Sequence, residues 1–163
     1  MIDDDFGNWF AGFAAGEGYF AIGKSIRSEN PNCYFRCKFI IGLRADDKQI
    51  LEKLRDALGF GTVYEHPARL GSNTQEAATL HIHSIKDCNE LIRIFEKYPI
   101  RSKKQKEFEI WKRAVKELQK PSIHRNSETL DYCFLKIREL RQYETHDEII
   151  KPQIKELQLI IKF

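Results

Sequence analysis

The chain of 163 residues is long enough for one domain with a sizeable core, and its 42% hydrophobic and 31% charged residues exclude a disordered or fibrous protein. A formal net charge of +3 is too small to identify a nucleic-acid partner by itself, so where the charges fall matters more than their sum. No apolar run is long enough to cross a bilayer, and the acidic start lacks the apolar stretch of a signal or transit peptide, which predicts an intracellular protein, cytoplasmic or retained inside an organelle.

The first element is a predicted helix over about residues 6–17, with Asp5 as its N-cap and Gly18 as its stop. At 100° per residue Phe6, Trp9, Phe10 and Phe13 make a wide apolar face suited to covering a sheet. Asn8, Ala11, Gly12, Ala15 and Gly16 lie opposite, and Gly12 and Gly16 have GxxxG spacing. A glycine inside a helix costs about 1 kcal/mol against alanine. That cost is offset where a second helix approaches the backbone closely. The second helix can belong to another copy or to this chain's own later helices. Glu17 sits at the C-terminal end, where the helix dipole disfavours an anion, so it needs a cation nearby. Two copies packed along their small faces would bring two Glu17 carboxylates together, an arrangement that needs a metal and suits divalent-ion phosphodiester cleavage.

Strict alternation then predicts an antiparallel hairpin over about residues 19–27 and 33–44, joined by a turn at "SENPN". Phe20, Ile22, Ile26, Phe35, Cys37, Phe39, Ile41 and Leu43 are assigned inward. Tyr19, Ala21, Gly23, Ser25, Arg27, Tyr34, Arg36, Lys38, Ile40, Gly42 and Arg44 are assigned outward. "DDKQILEKLRDALGFG" reads as a helix with Ile50, Leu51, Leu54 and Leu58 in one stripe and Gly59 as its stop. A second hairpin is predicted over about 62–67 and 76–83, around "LGSN", with Tyr64, His66, Thr79, His81 and His83 on the wet face. His81 and His83 have a spacing that can chelate zinc, but no third ligand is evident.

Residues 85–97 predict a helix burying Cys88, Leu91, Ile92 and Phe95, and about 102–119 a basic helix burying Phe108, Trp111, Val115 and Leu118. "KPSIHRNS" reads as a loop, and two further helices are expected at about 127–142 and 146–161, the last with a stripe of Ile149, Ile150, Ile154, Leu157 and Ile161 docked on the domain. Both tryptophans, Trp9 and Trp111, are expected in the core. Cys33, Cys37, Cys88 and Cys133 are expected to be reduced core residues; the first two lie roughly 13 Å apart along a strand, too far to share one ion. The order α-β-β-α-β-β-α plus a helical tail predicts an α+β fold with helices on one face of an antiparallel sheet and basic residues on the other.

"FAGFAAGEG", Phe10 to Gly18, resembles the LAGLIDADG motif of homing endonucleases, aligned without gaps. The deduced element order, "IGLRADDKQIL" with the later "LGFG", and "YPIRSKKQKEFEIW" resemble the same family. The similarity covers roughly residues 6–118, the core of a single domain spanning 1–163 with a helical extension from about 119. The resemblance implies a saddle-shaped sheet over DNA and metal-dependent cleavage of both strands at a long pseudo-palindromic site.

It places the catalytic acid at Glu17, the metal, Mg²⁺ or Mn²⁺, at Glu17 and Gly16, and the basic active-site residue at Lys103 with Lys104 as rival. DNA contacts are implied at Tyr19, Ala21, Gly23, Ser25, Arg27, Tyr34, Arg36, Lys38, Gly42, Arg44, Tyr64, His66, Thr79, His81 and Lys104. The first aspartate of the family motif is Ala15 here, and the usual water-orienting polar position falls at about Ala45, with Asp46 and Asp47 beside it. One motif in the chain implies a homodimer through Asn8, Ala11, Gly12, Ala15 and Gly16. The alternative is a protein of the same fold that binds DNA without cutting, or an intron-RNA maturase.

Overall fold

In the computed structural model, residues 2–27, 30–68, 71 and 75–141 are described; the side chains of residues 26, 27 and 30–33 lie outside that description. The elements run α1 (Asp4–Glu17), β1 (Gly18–Arg27), β2 (Asn30–Arg44), α2 (Lys48–Leu58), β3 (Thr62–His66), β4 (Ala77–Ile82), α3 (Ile85–Lys97), α4 (Lys104–Gln119) and α5 (Ser127–Glu139). Short 3-10 turns occupy Ala45–Asp47 and Ser122–His124, the second inside the expected loop. The four strands form one antiparallel sheet in the order β1-β2-β4-β3, with Ile41 opposite Leu80 and Tyr64 opposite Thr79. The fold is α+β, as the element order predicted. The helix expected at 146–161, with its stripe, lies outside the described residues.

The chain divides into two compact units, one of residues 1–20 and 38–102, the other of 21–37 and 103–163. In the first, period-two burial is clean: Phe20, Phe39, Ile41, Ala78, Leu80 and Ile82 are buried, while Lys38, Gly42, Thr79 and His81 on the other face are not. Phe10, Phe20, Phe39 and Phe95 form the aromatic centre, with the Phe20 and Phe39 rings 4.9 Å apart and Phe10 and Phe95 5.1 Å apart. Helix α2 lies against β3 and β4 through Leu51, Leu54 and Leu58, and stops where Gly59 takes a φ of +77°. Ile50, assigned to that stripe, is exposed at its edge. Helix α3 buries Cys88, Leu91, Ile92 and Phe95 as its periodicity predicts.

Helix α1 departs from its predicted orientation. Its buried residues are Gly7, Phe10, Ala11 and Ala14, whereas Trp9 is 47% exposed, not core. The cause is the small residues. Tyr98 lies so close to Gly7 that a Cβ there would meet the ring at 2.3 Å, and its hydroxyl donates to Asp4 at 2.7 Å. Burial is therefore centred on the Gly7–Ala14 side, which turns Trp9 outward to stack on Phe13 at 5.1 Å. The helix also starts earlier than predicted: Asp3, not Asp5, is the N-cap, and its carboxylate accepts from the Phe6 N–H at 2.8 Å. Residues 30–32, expected in a turn, belong to β2.

In the second unit α4 packs on α5 around Phe108, Trp111, Val115, Leu118, Leu130 and Cys133. Lys24 of β1 pairs with Asp131 of α5, its ammonium over the Phe35 ring. Glu117, buried on α4, accepts from the Asn126 backbone N–H at 2.6 Å and from Lys120 at 2.7 Å, tying down the α4–α5 connection. Cys37, Cys88 and Cys133 are free and buried; burial pushes the Cys88 thiol up to about 12 and the Cys133 thiol up to about 11.

Candidate nucleic-acid interface and metal-binding acid

Glu17 is the last residue of α1, and its side chain is exposed. The chain turns sharply after it because Gly18 fits where a side chain would not: a Cβ there would lie 2.6 Å from the Ala14 carbonyl oxygen and 2.8 Å from the Phe39 ring. Glu17 lines an open depression of about 420 Å³ with Gly42, Leu43, Arg44, Asp47, Gln75, Glu76 and Ala77. Sheet register builds this site. Arg44 pairs with Ala77, and the Ala45 N–H donates to the Glu76 carbonyl at 3.1 Å, so the end of β2 and the approach to β4 meet beside the helix terminus. Asp47 is one of the carboxylates noted beside Ala45. Gln75 and Glu76 were not foreseen, since only strand pairing brings them there. Asp46 pairs instead with Arg44 at 3.4 Å.

Among the described residues no three His, Cys, Asp or Glu side chains converge into a metal-holding group. Glu17 is an exposed hard-oxygen donor sharing its depression with Asp47, Gln75 and Glu76, but among the described residues these do not converge on one point, so a divalent cation there would need further oxygen ligands or a rearrangement of these. His81 and His83 form no zinc site among the described residues.

The open face of α1 carries Asn8, Trp9, Gly12 and Gly16, all exposed, flanked by the half-buried Phe13 and Ala15. Among the described residues a Cβ built on Gly12 or Gly16 meets nothing within 4 Å. The described residues thus account for the bareness at Gly7, where Tyr98 fills the space, and not for that at Gly12. Ala11, assigned to the same small face, is 5% exposed and packs inward.

Of the outward strand positions in the first unit, Tyr19, Gly42, Arg44, Tyr64 and His66 are exposed, and Lys38, Thr79 and His81 are half-buried. Tyr64 meets the His81 ring edge-on, with centroids 4.9 Å apart, and His66 Nε2 lies 2.8 Å from Thr79 Oγ1. In the second unit Gly23, Ser25 and Arg36 are exposed, and Ala21 and Tyr34 are half-buried. The side chain of Arg27 lies outside the described residues. Lys103, exposed, and Lys104, half-buried, stand at the start of α4, where the Lys103 carbonyl accepts from the Lys106 N–H at 3.2 Å.

Residues 10–115 match the family model described as LAGLIDADG endonuclease. The homing endonuclease I-TnaI is similar in structure, with a TM-score of 0.69 and 25% identity, the match covering 93% of this chain and 97% of that one. The archaeal intron-encoded homing endonuclease I-Vdi141I, solved in complex with DNA, has a TM-score of 0.73 at 15% identity, covering 96% and 98%. The LAGLIDADG meganuclease I-CpaMI, solved bound to uncleaved DNA, has a TM-score of 0.72 at 22% identity; the match covers 93% of this chain but 49% of that one. This chain thus spans nearly all of the first two proteins and about half of the third. No curated protein matches the sequence.

Proposed function

Because the chain belongs to the LAGLIDADG endonuclease family, we propose that it is a sequence-specific double-strand DNA endonuclease, with residues 1–163 acting as one endonuclease domain and two copies forming the active enzyme. The observation that carries this reading is the end of α1. An exposed acid terminates a helix whose glycines at 12 and 16 face open space among the described residues, so a second α1 can lie along it and bring a second Glu17 to the same place. Intracellular DNA, in the cytoplasm or an organelle, is its substrate.

Glu17, with Gly16, would hold divalent metal, Mg²⁺ or Mn²⁺; when bound, the ion would supply Lewis-acid activation of water and of the leaving oxygen. Lys103, with Lys104 as its neighbour, offsets charge on the scissile phosphate. Asp47 lines the same depression as Glu17, which supports it as the side chain that orders water where Ala45 has no polar group. Tyr19, Ala21, Gly23, Ser25, Arg27, Tyr34, Arg36, Lys38, Gly42, Arg44, Tyr64, His66, Thr79 and His81, the strand positions assigned outward from the sequence, would contact the duplex, cations on phosphates or guanine edges and hydroxyl groups on bases or waters. Phosphate contacts make binding fall steeply with salt.

The test is a cleavage assay on the continuous sequence obtained by joining the DNA on either side of the open reading frame. Wild type is expected to cut both strands with Mg²⁺ and not with chelator. Glu17→Gln should bind the same duplex with unchanged affinity in chelator and lose cleavage by at least about a thousandfold. Tight, Mg²⁺-indifferent binding by wild type without a nick would assign the chain to the non-cutting or maturase alternative.

A further inference from the structure

We propose that His81 is a protonation-dependent base reader: neutral, it accepts from the exocyclic amino group of adenine or cytosine, and protonated, it becomes a donor that turns the preference at that base pair toward guanine. The inference rests on the DNA-binding reading above and specifies how one part of that surface works.

His81 lies mid-strand on β4, opposite Ile40 of β2 and Thr62 of β3, on the sheet face away from buried Leu80 and Ile82. Its ring packs against one aromatic neighbour. Tyr64 meets it edge-on at 70°, and Tyr64 is itself opposite Thr79, which engages His66. The charged and titratable groups around it are Lys38 on β2, Tyr64 and His66 on β3, and His83 just beyond β4. The nearby carboxylate on β3, Glu65, alternates to the other face and pairs with Lys48. Burial, then Lys38, His66 and His83, hold the imidazole below its ordinary value of 6.5. The ring is therefore neutral at neutral pH, carrying one donor and one acceptor, and protonation, which sets in below that ordinary value, makes both nitrogens donors.

A positioned donor–acceptor group reads base edges in a way a phosphate-binding cation does not. The amino groups of adenine and cytosine can donate to a neutral imidazole and have nothing to offer an imidazolium. Guanine presents two acceptors, O6 and N7, against the single N7 of adenine, and so gains most from it. A lysine at this position would give one preference at every pH.

The test is selection from a randomised duplex library, in chelator so that nothing is cut, at about pH 7.5 and about pH 5.5. Wild type should enrich one extended sequence at both pH values, with the ratio of amino-bearing base to guanine at one pair in each half-site falling on the order of tenfold in acid. His81→Gln keeps a donor and an acceptor but does not titrate, and should hold the neutral preference at both pH values. His81→Arg should give the acid preference at both. A wild-type profile that does not change with pH overturns the proposal, as does His81→Gln shifting as wild type does, which would move the effect to His66 or His83. No enriched sequence at either pH would overturn the DNA-binding reading itself and this inference with it; a stable enriched sequence keeps that reading whatever His81 does.

Discussion

Gly7 shows how a residue with no side chain decides where its neighbours face. The Tyr98 ring occupies the volume a Cβ would need, at 2.3 to 2.5 Å, so Gly7→Ala must push the ring or the helix aside. Overpacking of this kind costs about 1–3 kcal/mol, and denaturant unfolding should show the loss as a lower midpoint with an unchanged slope. Tyr98→Ala in the same background should restore part of it by relieving the clash. The aromatic arc of α1 was plain in the sequence, but its outcome was not. A count of apolar side chains points Trp9 inward. The space that lets Tyr98 in is marked only by a glycine, which reads equally as a break, a cost or a contact. The cap was hard to place for a related reason: Asp3, Asp4 and Asp5 are all competent acceptors, and in the fold it is Asp3, not the expected Asp5, that accepts from the Phe6 N–H.

At the scale of elements, the parities of β2 and β4 and the stripes of α2, α3 and α4 were legible because their burial largely follows one period, with Ile50 the exception in α2, whereas β3, exposed at all but Val63, carries no such signal. The depression beside Glu17 was only half legible. Glu17 and Asp47 could be placed from a helix end and a strand end, whereas Gln75 and Glu76 reach it through the pairing of Arg44 with Ala77, a register no local pattern encodes. The α4–α5 connection likewise hangs on one buried acid. Burial pushes the Glu117 carboxyl up, but hydrogen bonds from Lys120 and the Asn126 N–H, with the charges of Lys120 and Arg113, outweigh it and leave the group below its ordinary value of 4.5. The depressed value means that the ionised form stabilises the fold above that ordinary value, and the contribution is lost as pH falls through the folded-state value. Glu117→Gln should therefore be less stable than wild type near neutrality, with the gap closing as pH falls below 4.5. Thermal unfolding of the two proteins across acid pH measures the gap; a constant gap would show that shape rather than charge makes the contact.

For the whole molecule, the proposed chemistry asks for more than the described residues of one copy supply. Among them no metal-holding group forms, while the acid proposed to hold the ion stands at the end of a helix whose Gly12 faces open space among the described residues. Gly12 separates folding from assembly. Among the described residues nothing lies within 4 Å of a Cβ placed there, so Gly12→Leu should fold as well as wild type, with the helix gaining up to about 1 kcal/mol from the loss of a flexible glycine. A second α1 needs that space for close approach, so the same substitution should weaken association at least about tenfold and remove cleavage at concentrations where wild type is dimeric. Sedimentation equilibrium reads the association. Trp9 offers an internal probe, because it is 47% exposed in one copy and its emission should shift to the blue as wild type associates, while buried Trp111 contributes a constant background. A Gly12→Leu protein that dimerises, shifts its Trp9 emission and cuts DNA as wild type does would place the partner surface elsewhere and leave the bare stripe of α1 without a function.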